Sequence, residues 1–279
     1  MKIPTTTEFC FITPISYLQY AKRSSRHLVL AHLVEQSLIY ADFYKKMSDR
    51  GDYVMMDCST YELHEPYSPE KLVSLGKQCG AHAIVLPDYP FQPAAKTVGA
   101  AEKFIPIFKN EGYHTFFVPQ SQKDDICDWI DAYKYASSNP DIDIIGMSIL
   151  GIPAALSDVS PAYARVVMTS ILNDRGILSS KYHHYLGLNS GPGLEIPSLL
   201  KLGVLNSIDS SGPVWAGIHG HSYTVEADSL QQVKKLKSVV DFNIPMTNDK
   251  QTLNRIENNI QLTLNLFERQ SQEVWYAKE

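Results

Sequence analysis

Residues 204–212, Val-Leu-Asn-Ser-Ile-Asp-Ser-Ser-Gly, read as a short strand that ends in an acid and runs straight into small, turn-forming residues. The Asp209 carboxylate then leaves the C-terminal end of its strand, which in a parallel barrel is where reacting groups gather. A strand-end Asp can equally cap a turn or a helix, but here the pattern recurs. His32 stands near the end of an apolar run at 27–34, Asp57 near the end of 53–58, Asp88 after 83–87 and Gln120 after 114–119. Gly146, Met147 and Ser148 lie in the run 142–150, and Gly187 lies in 183–188. Three carboxylates in one pocket repel one another and lose water, which drives their protonation states apart. Such a set suits glycosyl transfer or a metal site.

These groups can meet only if the runs carrying them are parallel strands. Helix-patterned segments separate the runs: 35–47, one opened by Ser68-Pro69-Glu70, 94–110, 124–136, one opened by Ser160-Pro161, and 195–202. Near-continuous apolar strands alternating with helices every ~25–35 residues indicate a parallel sheet covered on both faces. The expectation is an α/β protein, a (β/α)8 TIM-type barrel in a single domain over 1–279. Its core spans about 27–250, and a terminal helix over 252–269 carries Leu253, Ile256, Ile260, Leu264 and Phe267 at helical spacing. Counted from residue 27, Asp209 ends the seventh strand. The eighth comes either from 9–15 or from 239–245, and the pattern leaves both open. No glycine-rich phosphate loop follows a strand, which argues against dinucleotide and nucleoside-triphosphate binding.

Composition narrows the partners. The 279 residues are 44% hydrophobic with a formal net charge of −5, so no global basic field advertises nucleic acid, although a local patch is compatible. Lys22, Arg23 and Arg26 form one basic cluster and Lys234, Lys235 and Lys237 another. Either could hold phosphates, but short basic runs are more commonly solvated surface. Cys10, Cys58, Cys79 and Cys127 form no Cys-x-x-Cys pair, so neither zinc nor a disulfide framework is expected, and a reducing compartment fits. With no signal-like start and no run of ~18–20 apolar residues, a soluble cytoplasmic protein is expected.

The series Met56-Asp57-Cys58-Ser59-Thr60-Tyr61-Glu62, Leu86-Pro87-Asp88, Val118-Pro119-Gln120, Gly146-Met147-Ser148, Tyr185-Leu186-Gly187 and Ile208-Asp209-Ser210 resembles the tRNA-guanine transglycosylase superfamily over roughly 27–220. The resemblance implies that Asp209 attacks the ribose C1′ and that Asp57 handles the leaving and entering base. It also implies that Tyr61 stacks on the base, that Asp88 and Gln120 read it, and that the Gly146–Ser148 segment touches it through its backbone. Gly187 and His32 join the substrate-binding set. The departures are informative: no cysteine follows Cys127, so the family's zinc site is missing, and Cys-Ser-Thr follows Asp57 where Ser-Gly-Gly is common. A compact, zinc-free form is similar to the branch that inserts 7-deazaguanine bases, such as 7-cyano-7-deazaguanine (preQ0), into DNA in phages and bacterial modification clusters. The implied partners are DNA, with tRNA as the alternative polymer, and a free 7-deazaguanine base. No membrane, cofactor or metal is implied, and a homodimer is left open.

Three other readings use the same residues. His183, His184, His219 and His221 could join Asp209 at the mouth of a metal-dependent hydrolase, although adjacent His183 and His184 point to opposite faces of a strand. A hydrolase or lyase acting on a free nucleoside would keep the carboxylates and dispense with the polymer. A non-catalytic binding barrel would leave three strand-end acids without a task.

Overall fold

The computed structural model describes residues 1–188, 192–224 and 240–276, without the side chains of Tyr61, Glu62, Pro192 and 269–276. Among these residues eight strands form one parallel sheet: β1 (Glu8–Phe11), β2 (Arg26–Leu30), β3 (Tyr53–Asp57), β4 (Ala83–Val85), β5 (His114–Phe117), β6 (Ile144–Ser148), β7 (Tyr182–Leu186) and β8 (Ser207–Ser210). The helices are α1 (Ala31–Gln36), α2 (Leu38–Asp49), α3 (Thr60–Leu63), α4 (Pro69–Cys79), α5 (Ala94–Asn110), α6 (Ile126–Ser138), α7 (Gly151–Ala155), α8 (Pro161–Asp174), α9 (Pro192–Lys201), α10 (Gly212–Ile218) and α11 (Lys250–Tyr276). The strand order β1-β8-β7-β6-β5-β4-β3-β2 curls into a nearly closed (β/α)8 barrel.

Several helix starts follow from local chemistry. The Ser68 hydroxyl accepts from Lys71 N at 3.2 Å, Pro69 occupies the first turn, and Gly80 ends α4 in the left-handed region. Asp125 caps α6 in the same way, accepting from Asp128 N at 3.0 Å. Two expectations change. The run 27–34 is strand only to Leu30, and the chain turns into α1 at Ala31, because a continuous apolar run does not distinguish a buried strand from a buried helix. The eighth strand comes from the N-terminal side: β1 pairs with β8, placing Asp209 in the eighth strand instead of the seventh. Of the rival segment, 240–245 is not strand, and Phe242 accepts a backbone hydrogen bond from Ile15 N at 2.9 Å.

Residues in register present their side chains to the same face. Arg26, Tyr53 and Tyr182 therefore point inward at the N-terminal end, and Leu28, Met55, His184 and Ser207 point inward above them. Asp57 and Asp209 follow at the C-terminal end, where Cys10 stands in register with Asp209. The seam where β1 meets β2 is held by side chains. Glu8 accepts from Ser24 Oγ at 2.9 Å, Ser25 N at 2.9 Å and Ser25 Oγ at 2.7 Å. Arg26 reaches across to Thr6 Oγ1 at 2.7 Å and Asn206 O at 2.8 Å.

Burial acts most strongly on Glu8 and would raise its pKa, but the hydrogen bonds from Ser25 and Ser24 and the charge of Arg26 outweigh it, leaving the carboxyl below its ordinary 4.5. A depressed carboxyl stabilises the fold fully above 4.5, and that contribution is lost as pH falls through the lower folded value. Glu8→Gln should therefore melt below the wild type at neutral pH, with the gap closing as the medium is acidified past 4.5. Melting temperatures of both proteins against pH check this, and a gap that stays constant in acid would contradict it.

Candidate functional site at the C-terminal mouth of the barrel

Asp209, on β8, is 4% exposed. Two groups reach the same oxygen, Oδ1: His184 Nε2 at 3.0 Å and the Gly187 backbone N–H, which donates, at 2.9 Å. Oδ2 takes part in neither bond. His184 points inward from β7 as alternation requires, its ring edge-on to Phe116 with centroids 5.5 Å apart. His183 points outward, bonds the Tyr133 hydroxyl at 2.8 Å, and is pushed down to about 4 by burial. Burial first and then the Asp209 charge push the neighbouring Cys10 thiol well above its ordinary value.

Asp57 ends β3, and its Oδ1 accepts from Ser59 N at 2.6 Å. Ser59 adopts a left-handed backbone, φ 55°, and is fully buried; its hydroxyl bonds His32 Nδ1 at 2.9 Å. This small turn ties the His32 ring, half-buried on α1, to the Asp57 loop. Asp88 follows β4 and accepts from Gln120 Nε2 at 2.6 Å, while Cys58 Sγ lies 3.9 Å from its other oxygen. Gln120 is fully buried against Gly151, where a Cβ would stand 2.2 Å from Gln120 Oε1, so only glycine leaves room for this amide. Asp88 also lines a cavity of about 290 Å³ with Thr60, His64, Tyr89, Gln92 and Lys96.

Gly187 is held from behind. Arg165 of α8 is fully buried and donates to Met147 O at 3.0 Å, Leu186 O at 2.8 Å and Gly187 O at 2.7 Å. Its charge is met by Glu195 of α9 through two bonds of 2.6 Å each. This pair fixes the ends of β6 and β7, and with them the N–H that meets Asp209. A fork-to-fork Arg–carboxylate pair suits the task because its geometry is rigid.

The structure therefore brings Asp57, Asp88, Gln120, His32, Ser148, Gly187 and Asp209 to one end of the barrel. Other expected residues fall elsewhere. Gly146 lies within the wall, where a Cβ would come within 2.7 Å of Phe116 and Val118. Met147 is fully buried and its carbonyl is taken by Arg165, so Ser148 is the member of that segment that reaches the rim. Arg26 is fully buried at the opposite end and cannot meet a phosphate at the surface. Lys22 and Arg23 line a cavity of about 630 Å³ at that same N-terminal end, and Arg23 pairs with Glu257 at 3.3 Å. Lys96 is a basic residue that does reach the mouth, with Nζ 4.3 Å from the Tyr89 ring centroid. The Tyr61 side chain and Lys234, Lys235 and Lys237 lie outside the described residues.

Sequence reasoning sets His183 and His184 beside Asp209 only as possible metal ligands, at most one of them facing inward, and misses His184 as the hydrogen-bond partner of Asp209. It also missed Arg165 and Glu195, which lie 30 residues apart on separate helices and carry no local signature. Among the described residues no three His, Cys, Asp or Glu side chains gather as a metal-binding set, and no helix is long and apolar enough to cross a membrane. No protein-family model matches the chain, and no curated protein matches it.

Removing one partner of a buried ion pair leaves the other charge without compensation. Glu195→Ala should cost about 3–5 kcal/mol of stability, far more than an exposed glutamate would. Denaturant midpoints measure the difference, and a loss below about 1 kcal/mol, as for a surface pair, would contradict the assigned role.

Proposed function

We propose that this barrel exchanges guanine in a nucleic acid, DNA foremost, for a 7-deazaguanine base through a covalent Asp209–sugar intermediate. The observation that carries the reading is the environment of Asp209. An inward carboxylate is held through one oxygen from two sides, its second oxygen takes no hydrogen bond among the described residues, and it shares a mouth with two further acids that have their own partners. Held this way, Oδ2 can attack C1′ from the face opposite the base, splitting one displacement into two. As the C1′–N9 bond breaks and C1′–Oδ2 forms, Asp57 gives a proton to the departing guanine. In the return step Asp57 takes a proton from the incoming base, whose nitrogen displaces Asp209.

Asp88 accounts for base choice. Its oxygens accept, and guanine offers N1–H and an exocyclic amine on one edge, whereas adenine places an acceptor at N1. Gln120 holds Asp88 in place, and the adjoining cavity offers room for the base extruded from its stack. The turn after Asp57 supports the resemblance to tRNA-guanine transglycosylases: Ser59 takes a left-handed φ where that family's Ser-Gly-Gly run has a glycine, the residue suited to it. Lys96 would meet a phosphate beside the mouth.

Base exchange tests this directly. Labelled guanine or 7-cyano-7-deazaguanine is incubated with the protein and duplex DNA or unmodified tRNA. Label should enter DNA with the wild type, be abolished by Asp209→Ala, and drop by roughly 10–100-fold in kcat/KM with Asp88→Ala as the charged hydrogen bonds are lost. Label in tRNA alone would transfer the same chemistry to the other polymer. Turnover by Asp209→Ala would refute the nucleophile.

A further inference from the structure

The interior of the barrel holds a continuous hydrogen-bonded chain with one end at Asp209 and the other at Arg26. Arg26 Nη1 lies 2.8 Å from the Tyr182 hydroxyl, which lies 2.8 Å from Ser207 Oγ. Ser207 Oγ lies 2.6 Å from His184 Nδ1, and His184 Nε2 lies 3.0 Å from Asp209 Oδ1. Arg26, Ser207 and His184 are fully buried and Tyr182 is 8% exposed, so water does not offer an alternative partner along most of it.

The order of donors follows from what each group can do. A guanidinium only donates, so the Tyr182 oxygen receives and its single hydrogen goes on to Ser207. Burial, the largest influence on Tyr182, pushes its hydroxyl up to about 12, and the phenol keeps that hydrogen to give. Ser207, already receiving, passes its own hydrogen to His184 Nδ1. A ring that accepts at Nδ1 carries its hydrogen at Nε2, and Nε2 faces Asp209. With a hydrogen on Nδ1 instead, the buried Ser207 hydroxyl would receive from both sides and have no acceptor for its own proton among the described residues.

We infer that Arg26, Tyr182 and Ser207 act as positioning residues that lock His184 as the neutral, Nε2-protonated tautomer, so that Asp209 Oδ1 always receives a hydrogen bond and never has to give one. For the base exchange proposed above, on whose reading this role in catalysis rests, the lock commits Oδ1 and leaves Oδ2 as the attacking oxygen. The chain also gives the buried Arg26 a function at a distance. A cation at the N-terminal end of the barrel sets the hydrogen pattern at the mouth without touching it.

Nitrogen NMR of the full-length protein with isotope-labelled histidine rings reads the tautomer without requiring any activity, and His184→Gln assigns the resonances of His184 by their loss. In the wild type, His184 should show a protonated Nε2 and a bare, accepting Nδ1. Tyr182→Phe and Ser207→Ala should release the lock and show Nδ1–H populated, with roughly a 10- to 100-fold loss of kcat in base exchange and little change in KM for the free base. A wild-type ring protonated at Nδ1, or variants whose ring signals do not move, would overturn the inference. The wild-type spectrum alone decides the first point even if a variant fails to fold. A locked Nε2–H ring in a protein that exchanges no base would support the relay and refute the proposed reaction.

Discussion

A guanidinium sealed inside a barrel is the constraint around which this structure is arranged. Transferring such a charge from water is costly unless its hydrogens are met. Arg26 meets most of the demand by tying strands together: Thr6 beside β1, Tyr182 on β7 and Asn206 at the foot of β8 all receive from its two terminal nitrogens, while its buried Nε–H has no acceptor among the described residues. Glu8, on the adjoining strand, feels its charge. The open seam between β1 and β2 is thus bridged where a backbone ladder is missing, and the N-terminal end becomes a rigid base for the parallel strands above it. Parallel register does the rest by delivering every strand's C-terminal end to one rim.

The mouth repeats this logic with different groups. Arg165 and Glu195 clamp the ends of β6 and β7 from outside, as Arg26 clamps the foot of the barrel from inside. Between the two clamps lies Asp209, whose position depends on β7 through both His184 and Gly187. A carboxylate oriented by fixed donors needs no reorganisation when it acts, which is what electrostatic preorganisation requires. Asp57 and Asp88 are anchored by separate devices, a left-handed serine turn and a buried glutamine. The three acids are therefore differentiated by their local partners.

Much of this was legible in the sequence. Parallel strands covered on both faces read as apolar runs, so β3 to β8 and their trailing acids stood out, and the helix opened by Ser68-Pro69 declared itself through its cap. The obscure parts have physical causes. A four-residue β1 gives too little pattern to be preferred over 239–245 before pairing is known. Arg26 looked like part of a surface cluster because a charge reads as solvated. Its alternation with Leu28 and Leu30, which shows it to be inward, acquires meaning only once 26–30 is known to be a strand. The pairing of Arg165 with Glu195 joins two helices across the outer layer, and nothing local foretells it.

The central claim is that Asp209 carries the sugar, and its most direct test is to stop the reaction midway. The protein would be mixed with guanine-containing duplex DNA, quenched in denaturant, and digested for peptide mass spectrometry. A DNA-linked peptide containing Asp209, absent in Asp209→Asn and discharged when free base is added before quenching, is the predicted result. Base exchange that proceeds with no such adduct, or with the adduct on another residue, would contradict the account.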